Sequence, residues 1–187
     1  MTNEPVTKGV ARVKVWDPLV RTGHWALVLS IAIAWFTQEG GRSWHERFGY
    51  AALAIVAIRI VWGLLGPRYA RFAQFMRTPA DTLIYAGQVM RGMEPRHLGH
   101  NPLGGWMILA LLANAILAGA SGWLYTTDAY WGVEWVEDLH EFFANALLTL
   151  ACAHVAGVVF ASWRHRENLA AAMLSGYKRS PGPGDIG

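Results

Sequence analysis

Residues 137–163 read EDLHEFFANALLTLACAHVAGVVFASW, and this stretch decides the fold. It is apolar and long enough to span a membrane, since about 20 residues cross a hydrocarbon core roughly 30 Å thick. Two histidines interrupt it, His140 and His154. At about 3.6 residues per turn their spacing is close to four whole turns. Both rings therefore leave the helix on one face, roughly 21 Å apart at about 1.5 Å per residue. Histidine within a span is costly and marks a functional position.

Three further segments have the same apolar character. The first covers residues 18–38. Asp17-Pro18 supplies an N-cap followed by proline at the first helical position, and Gly40-Gly41 breaks the helix. The second covers 44–65. Ser43-Trp44-His45-Glu46 fits the capping-box pattern, and Gly66-Pro67 ends the segment. The third covers 103–125, opens on Asn101-Pro102 and contains no charged residue. Between the second and third lies a basic connector. There Thr78-Pro79 predicts a short helix over 80–91 whose Leu83, Ile84, Ala86, Val89 and Met90 lie on the membrane surface. Four spans at 18–38, 44–65, 103–125 and 137–163 predict an all-α, integral membrane four-helix bundle with up-down topology. One domain is expected over 1–179, with residues 180–187, beginning Ser-Pro-Gly-Pro-Gly, as a flexible tail.

Composition agrees. The chain is 53% hydrophobic and 16% charged, against about 25% charged in an ordinary soluble domain. Residues 1–17 are polar, so no cleavable signal peptide is expected and the first span doubles as the targeting signal. Thirteen of the sixteen basic residues fall in three regions: the N-terminal arm (Lys8, Arg12, Lys14, Arg21), the connector (Arg68, Arg71, Arg77, Arg91, Arg96) and the C-terminal end (Arg164, Arg166, Lys178, Arg179). The segment between the third and fourth spans carries Asp128, Glu134, Glu137, Asp138 and Glu141 without a basic residue. The positive-inside rule then puts both termini in the cytoplasm. The basic residues report topology, and no nucleic-acid partner is expected. Tryptophans 25, 35, 44, 106, 123, 131, 135 and 163 sit near span ends, where the lipid bilayer favours them.

Topology pairs the histidines. His24 lies toward the cytoplasmic end of the first span and His45 opens the second at the opposite face. The expected pairs are His24 with His154 and His45 with His140. Bis-histidine pairs inside a helix bundle are haem sites by preference, so two haems are expected, one toward each face. The single cysteine, Cys152, excludes an intrachain disulfide, and no C-x-x-C-H motif is present. Each haem would therefore be non-covalent, of b type, with Cys152 a small packing residue. Zinc fits poorly, because the two pairs are too far apart to close one tetrahedral site.

Neighbouring residues admit two readings. Gly49 and Gly157, with Gly119 and Gly122, either let a flat macrocycle approach the backbone or serve ordinary small-residue helix packing. Arg59, within the second span, either meets a haem propionate or snorkels to the interface. His97, His100 and His165 are expected in surface or capping roles.

The chain resembles the bacterial cytochrome b561 family, and within it the branch of hydrogenase-type cytochrome b subunits. The resemblance rests on Val15-Trp16-Asp17-Pro18 leading to His24-Trp25, Trp44-His45-Glu46 with Gly49-Tyr50, and Arg59-Ile60-Val61-Trp62-Gly63. It rests also on Gly99-His100-Asn101-Pro102-Leu103-Gly104, Leu139-His140-Glu141 and His165-Arg166-Glu167-Asn168-Leu169. It covers about residues 13–179. It implies a bacterial inner-membrane protein of the respiratory chain with two haem b groups on His24, His45, His140 and His154. Electrons would pass between the quinone pool and a periplasmic redox partner such as a c-type cytochrome. It also implies two alternatives: a superoxide:quinone oxidoreductase, or the membrane-anchor cytochrome b subunit of a hydrogenase-like complex. The mainly acidic outer segment, with only Arg42 and Arg47 basic nearby, weighs against capture of anionic superoxide. Four spans, where classical hydrogenase cytochromes b have five, weigh against the hydrogenase subunit.

Overall fold

In the computed structural model, residues 11–187 are described. Lys8 and the rest of 1–10, part of the expected domain, lie outside the described residues. Four long helices are apolar enough to cross a membrane: α1 (Pro18–Phe36), α2 (Arg42–Leu65), α5 (Pro102–Tyr125) and α6 (Glu134–His165). Between α2 and α5 lie a 3-10 turn (Arg68–Ala70), α3 (Phe72–Phe75) and α4 (Pro79–Arg91). After α6 come α7 (Leu169–Ser175) and β2 (Tyr177–Arg179), which pairs antiparallel with β1 (Arg12–Lys14). That pairing ties both ends of the described chain to one face of the bundle, here termed the inner face.

Most helix starts follow the capping chemistry read from the sequence. Asp17 Oδ1 accepts from the N–H groups of Leu19 and Val20, Thr78 Oγ1 from Asp81, and Asn101 Oδ1 from Gly104 at 2.7 Å. Helix α2 departs from expectation. It begins at Arg42 with Gly41 as a cap lacking a side-chain bond, and Glu46 is drawn to Arg42 Nε at 2.8 Å. An i,i+4 ion pair has replaced the capping box. Helix α6 starts a turn earlier than expected and ends on Arg166 in the left-handed region, φ 50°.

Helix α1 packs along α2, α5 packs along α6, and α2 joins the two pairs through α5. Apolar burial does not drive helices together in lipid, so close approach and polar links decide the contacts. At Gly119 a Cβ would stand 2.5 Å from Leu53, so its absence lets α5 lie close to α2. Asn114 Nδ2 donates to the Phe143 carbonyl across α5 and α6 at 2.7 Å. Gly63 admits Phe72, whose ring would lie 2.2 Å from a Cβ there. Among the described residues α6 packs far less against α1 or α2 than against α5.

The inner face is built from the connector and the chain end. Val15, Trp16 and Ala172 form a small buried cluster with Val13, Tyr69 and Met173 against it. Beside it Arg96, 5% exposed, binds Glu167 at 2.8 Å and Asp185, while Lys178 donates to the carbonyls of His97 and Leu98. Residues 180–187, expected as a flexible tail, are held here. Ile186 exchanges backbone hydrogen bonds with Arg96 and Leu98, and Arg68 donates to the Gly187 carbonyl. Cys152 differs too: it lies exposed on α6 rather than packed.

Candidate functional site

Helix α6 presents His140 near its outer end and His154 toward its inner end. Helix α2 delivers His45 in its first turn, and α1 delivers His24 in its second. All four side chains are half-buried.

The outer pair is brought together. The His45 and His140 rings have centroids 5.8 Å apart and nearly perpendicular planes, at 88°. Two imidazoles on opposite sides of one metal ion would place their centres roughly 6 Å apart, taking metal–nitrogen bonds of about 2.0 Å. Each ring is oriented through Nδ1. His45 Nδ1 lies 2.8 Å from the Ala34 carbonyl on α1, and His140 Nδ1 lies 2.9 Å from the Ala118 carbonyl on α5. A carbonyl only accepts, so each Nδ1 donates its N–H and each Nε2 keeps its lone pair. Outward hydrogen bonds of this kind fix the tautomer and raise the basicity of metal-ligating histidines. Gly122 gives His140 its space: a Cβ there would come within 2.8 Å of the ring.

The inner pair is looser. His154 lies within through-space reach of His24, but the two rings make no direct contact among the described residues. His24 Nδ1 is buried without a hydrogen-bond partner, and the ring meets Trp25 edge-on at 5.0 Å. An orphaned buried imidazole nitrogen is expensive unless a bound group completes its surroundings. Arg59 lies on the same inner side, half-buried, with its guanidinium 4.9 Å over the Phe72 ring and Nη1 buried without a partner. A snorkelling head would be hydrated, so this arrangement favours an anionic ligand. At Gly49 and Gly157 a Cβ would meet nothing within 4 Å, in contrast to Gly63, Gly119 and Gly122. Those two positions fit a flat group lying against the helix. The histidine donor set fits haem b.

His97, His100 and His165 are all half-buried. His97 leans on Tyr85 edge-on at 5.3 Å, and Lys178 donates to its carbonyl. His100 departs from its expected surface role. Its ring is wedged between Trp16 at 4.6 Å and Phe75 at 4.8 Å, and its Nδ1 is buried without a partner. Its one sequence signal is its place next to the Asn101-Pro102 cap, where the connector turns into the bundle. Between α1 and α2, a cavity of about 200 Å³ is lined mainly by Leu19, Val20, Ala26, Ile55 and Ile58, with Thr22, Gly23, Arg59 and Trp62. At the outer end Arg42 lies 3.9 Å over the Trp131 ring, Trp131 stacks on Tyr125, and Tyr125 donates to Glu137 at 2.9 Å.

Residues 15–176 match the family model described as prokaryotic cytochrome b561. No curated protein and no solved structure matches the chain. The match spans most of the sequence and all four long helices, so the chain belongs to that family. With four apolar helices, it is a bacterial membrane cytochrome that binds haem b and acts in electron transfer.

Proposed function

We propose that this member of the prokaryotic cytochrome b561 family binds two b haems, on His45 with His140 and on His24 with His154. It would carry electrons across the bacterial inner membrane between the quinone pool and a periplasmic redox protein such as a c-type cytochrome. The observation that carries this reading is the outer pair: two rings at a metal-bridging separation, each locked by a backbone carbonyl with Nε2 free.

When bound, haem supplies reversible one-electron chemistry at its iron. The chain's residues do the rest. Two histidines per site leave no open position on the metal, which suits electron transfer rather than oxygen binding. The carbonyls of Ala34 and Ala118 hold the outer ligands in one orientation, so little rearrangement accompanies a change of charge. The apolar cavity beside His24 and Arg59 suits an isoprenoid quinone at the inner end. At the outer end both nearby cations are engaged: Arg42 by Glu46 and Trp131, Arg47 over Trp44 at 5.8 Å. An outer face with acidic residues and engaged arginines supports docking of a basic protein over attraction of superoxide.

Haem per chain by pyridine haemochrome tests the reading on the wild type, His24→Ala and His140→Ala. Two haems falling to one in each variant are expected. One haem in the wild type, or a count that neither substitution changes, would refute it.

A further inference from the structure

Cations crowd the inner end of the bundle without enough carboxylates to answer them. Arg59 keeps Nη1 buried and unpartnered, and Arg21 keeps Nε so. The nearby carboxylate, Asp17, is already engaged: its Oδ1 accepts from Leu19, Val20 and the Trp62 indole. His100 stands among these groups. Arg59, Lys178, His154 and His24 all act on it through space. An aromatic run connects Arg59 to it: the guanidinium rests on Phe72, Phe72 meets Phe75 at 5.9 Å, and Phe75 meets His100. Trp16 closes the other side. Burial, with Arg59 and Lys178 nearby, pushes the imidazole down to about 3, so it is neutral with one N–H to give. A packed neutral ring with an orphaned nitrogen, joined through Phe72 and Phe75 to an arginine with an orphaned N–H, offers two donors at one end of the bundle to a carboxylate reaching between them.

We propose that His100 is a haem-positioning residue that, together with Arg59, holds a propionate carboxylate of the haem on His24 and His154. The inference rests on that pair being a haem site. The ligand's chemistry is that of any carboxylate, and an anion from solution or lipid is the other source of it.

The test uses the purified holoprotein with three substitutions. His100→Phe keeps the ring between Trp16 and Phe75 and removes the N–H. His100→Asn and His100→Leu are alike in size, but only the asparagine can donate. The readouts are redox titration of both haems and the propionate bending bands in resonance Raman spectra. Losing a donor to the propionate leaves more negative charge near the iron and favours its oxidised form. Expected are a lowered potential at one haem and a shifted propionate band in the Phe and Leu variants, with the Asn variant close to wild type. Loss of one haem in Leu but not in Asn supports the proposal equally. Two haems with unchanged potentials and bands in Phe and Leu would overturn it, leaving the carboxylate to another anion or His100 to packing. A wild type with fewer than two haems would instead overturn the haem pairing beneath it.

Discussion

The smallest residues separate the two readings of this bundle most sharply. Gly122 and Gly157 look alike in sequence, each on a long apolar helix near a ligand histidine. In the structure a Cβ at Gly122 would press on His140, whereas one at Gly157 would meet nothing. If each pair holds a haem, both positions need their glycine for different reasons. Gly122→Ala should displace a ligand ring, and Gly157→Leu should block the approach of the macrocycle. We expect each variant to keep its helices by circular dichroism and to lose one haem: the outer in Gly122→Ala, the inner in Gly157→Leu. Gly157→Leu retaining both would show that this position only faces lipid. That His45 meets His140 was legible because helical periodicity and alternating topology fix their face and depth from sequence alone. The Ala34 and Ala118 carbonyls were not, because a backbone acceptor leaves no mark on residue type. His100 was missed because Trp16 and Phe75 come from distant segments, so nothing in its neighbourhood of arginines announced a buried ring.

Among the elements, the spans and three helix caps, those of α1, α4 and α5, were readable, because Asp-Pro, Thr-Pro and Asn-Pro pairs act locally. The α2 start was misread because Arg42 and Glu46 satisfy each other, a choice the capping pattern does not encode. The tail was misread for a longer-range reason. Its Pro and Gly residues say nothing of Asp185 reaching Arg96, nor of Ile186 adding itself to the connector. That contact has a definite pH dependence. Burial alone would raise the Glu167 carboxyl, but bonds from Arg96 and the Arg179 N–H, with the charge of Lys178, hold it below its ordinary range. Burial would likewise raise Asp185, and bonds from the Gly182 N–H and Arg96 hold it down. Carboxyls depressed in the folded state contribute stability above their unfolded pKa, and that contribution is lost as pH falls through the folded value. Protonation also leaves Arg96 and Lys178 buried without counter-charges, holding only backbone carbonyls. Acidifying from about pH 7 to about pH 3 should therefore release residues 180–187 before the spans unfold. Protection of the Leu98 and Ile186 amides, taken relative to the intrinsic exchange rate at each pH, should fall over that interval. Glu167→Gln with Asp185→Asn should exchange fast at both ends of it. Amides equally protected at both pH values would show that the ion pairs do not hold the tail.

For the whole molecule, sheet pairing joins the two described ends on one face, and charge distribution alone bears on which side of the membrane that face takes. Strands β1 and β2 place both ends of the described chain on one face, whatever the membrane does. Most of the basic residues gather on that face, while Asp128, Glu134, Glu137 and Asp138 lie at the other. A bilayer translocates loops poor in lysine and arginine more readily, so the positive-inside rule would put the shared face in the cytoplasm and the His45–His140 pair toward the periplasm. The assignment decides which haem faces a soluble partner, so it bears on the direction of the whole pathway. It can be measured without reference to haem. In a Cys152→Ser background, Asp128→Cys and Ser180→Cys each carry one thiol, on opposite faces. A membrane-impermeant maleimide applied to intact spheroplasts should label the Asp128→Cys protein at once. It should label the Ser180→Cys protein only after the membrane is opened and the tail freed by acid pretreatment or detergent. The reverse pattern would invert the molecule and place the acidic, tryptophan-rich face in the cytoplasm, where a periplasmic donor could not reach it.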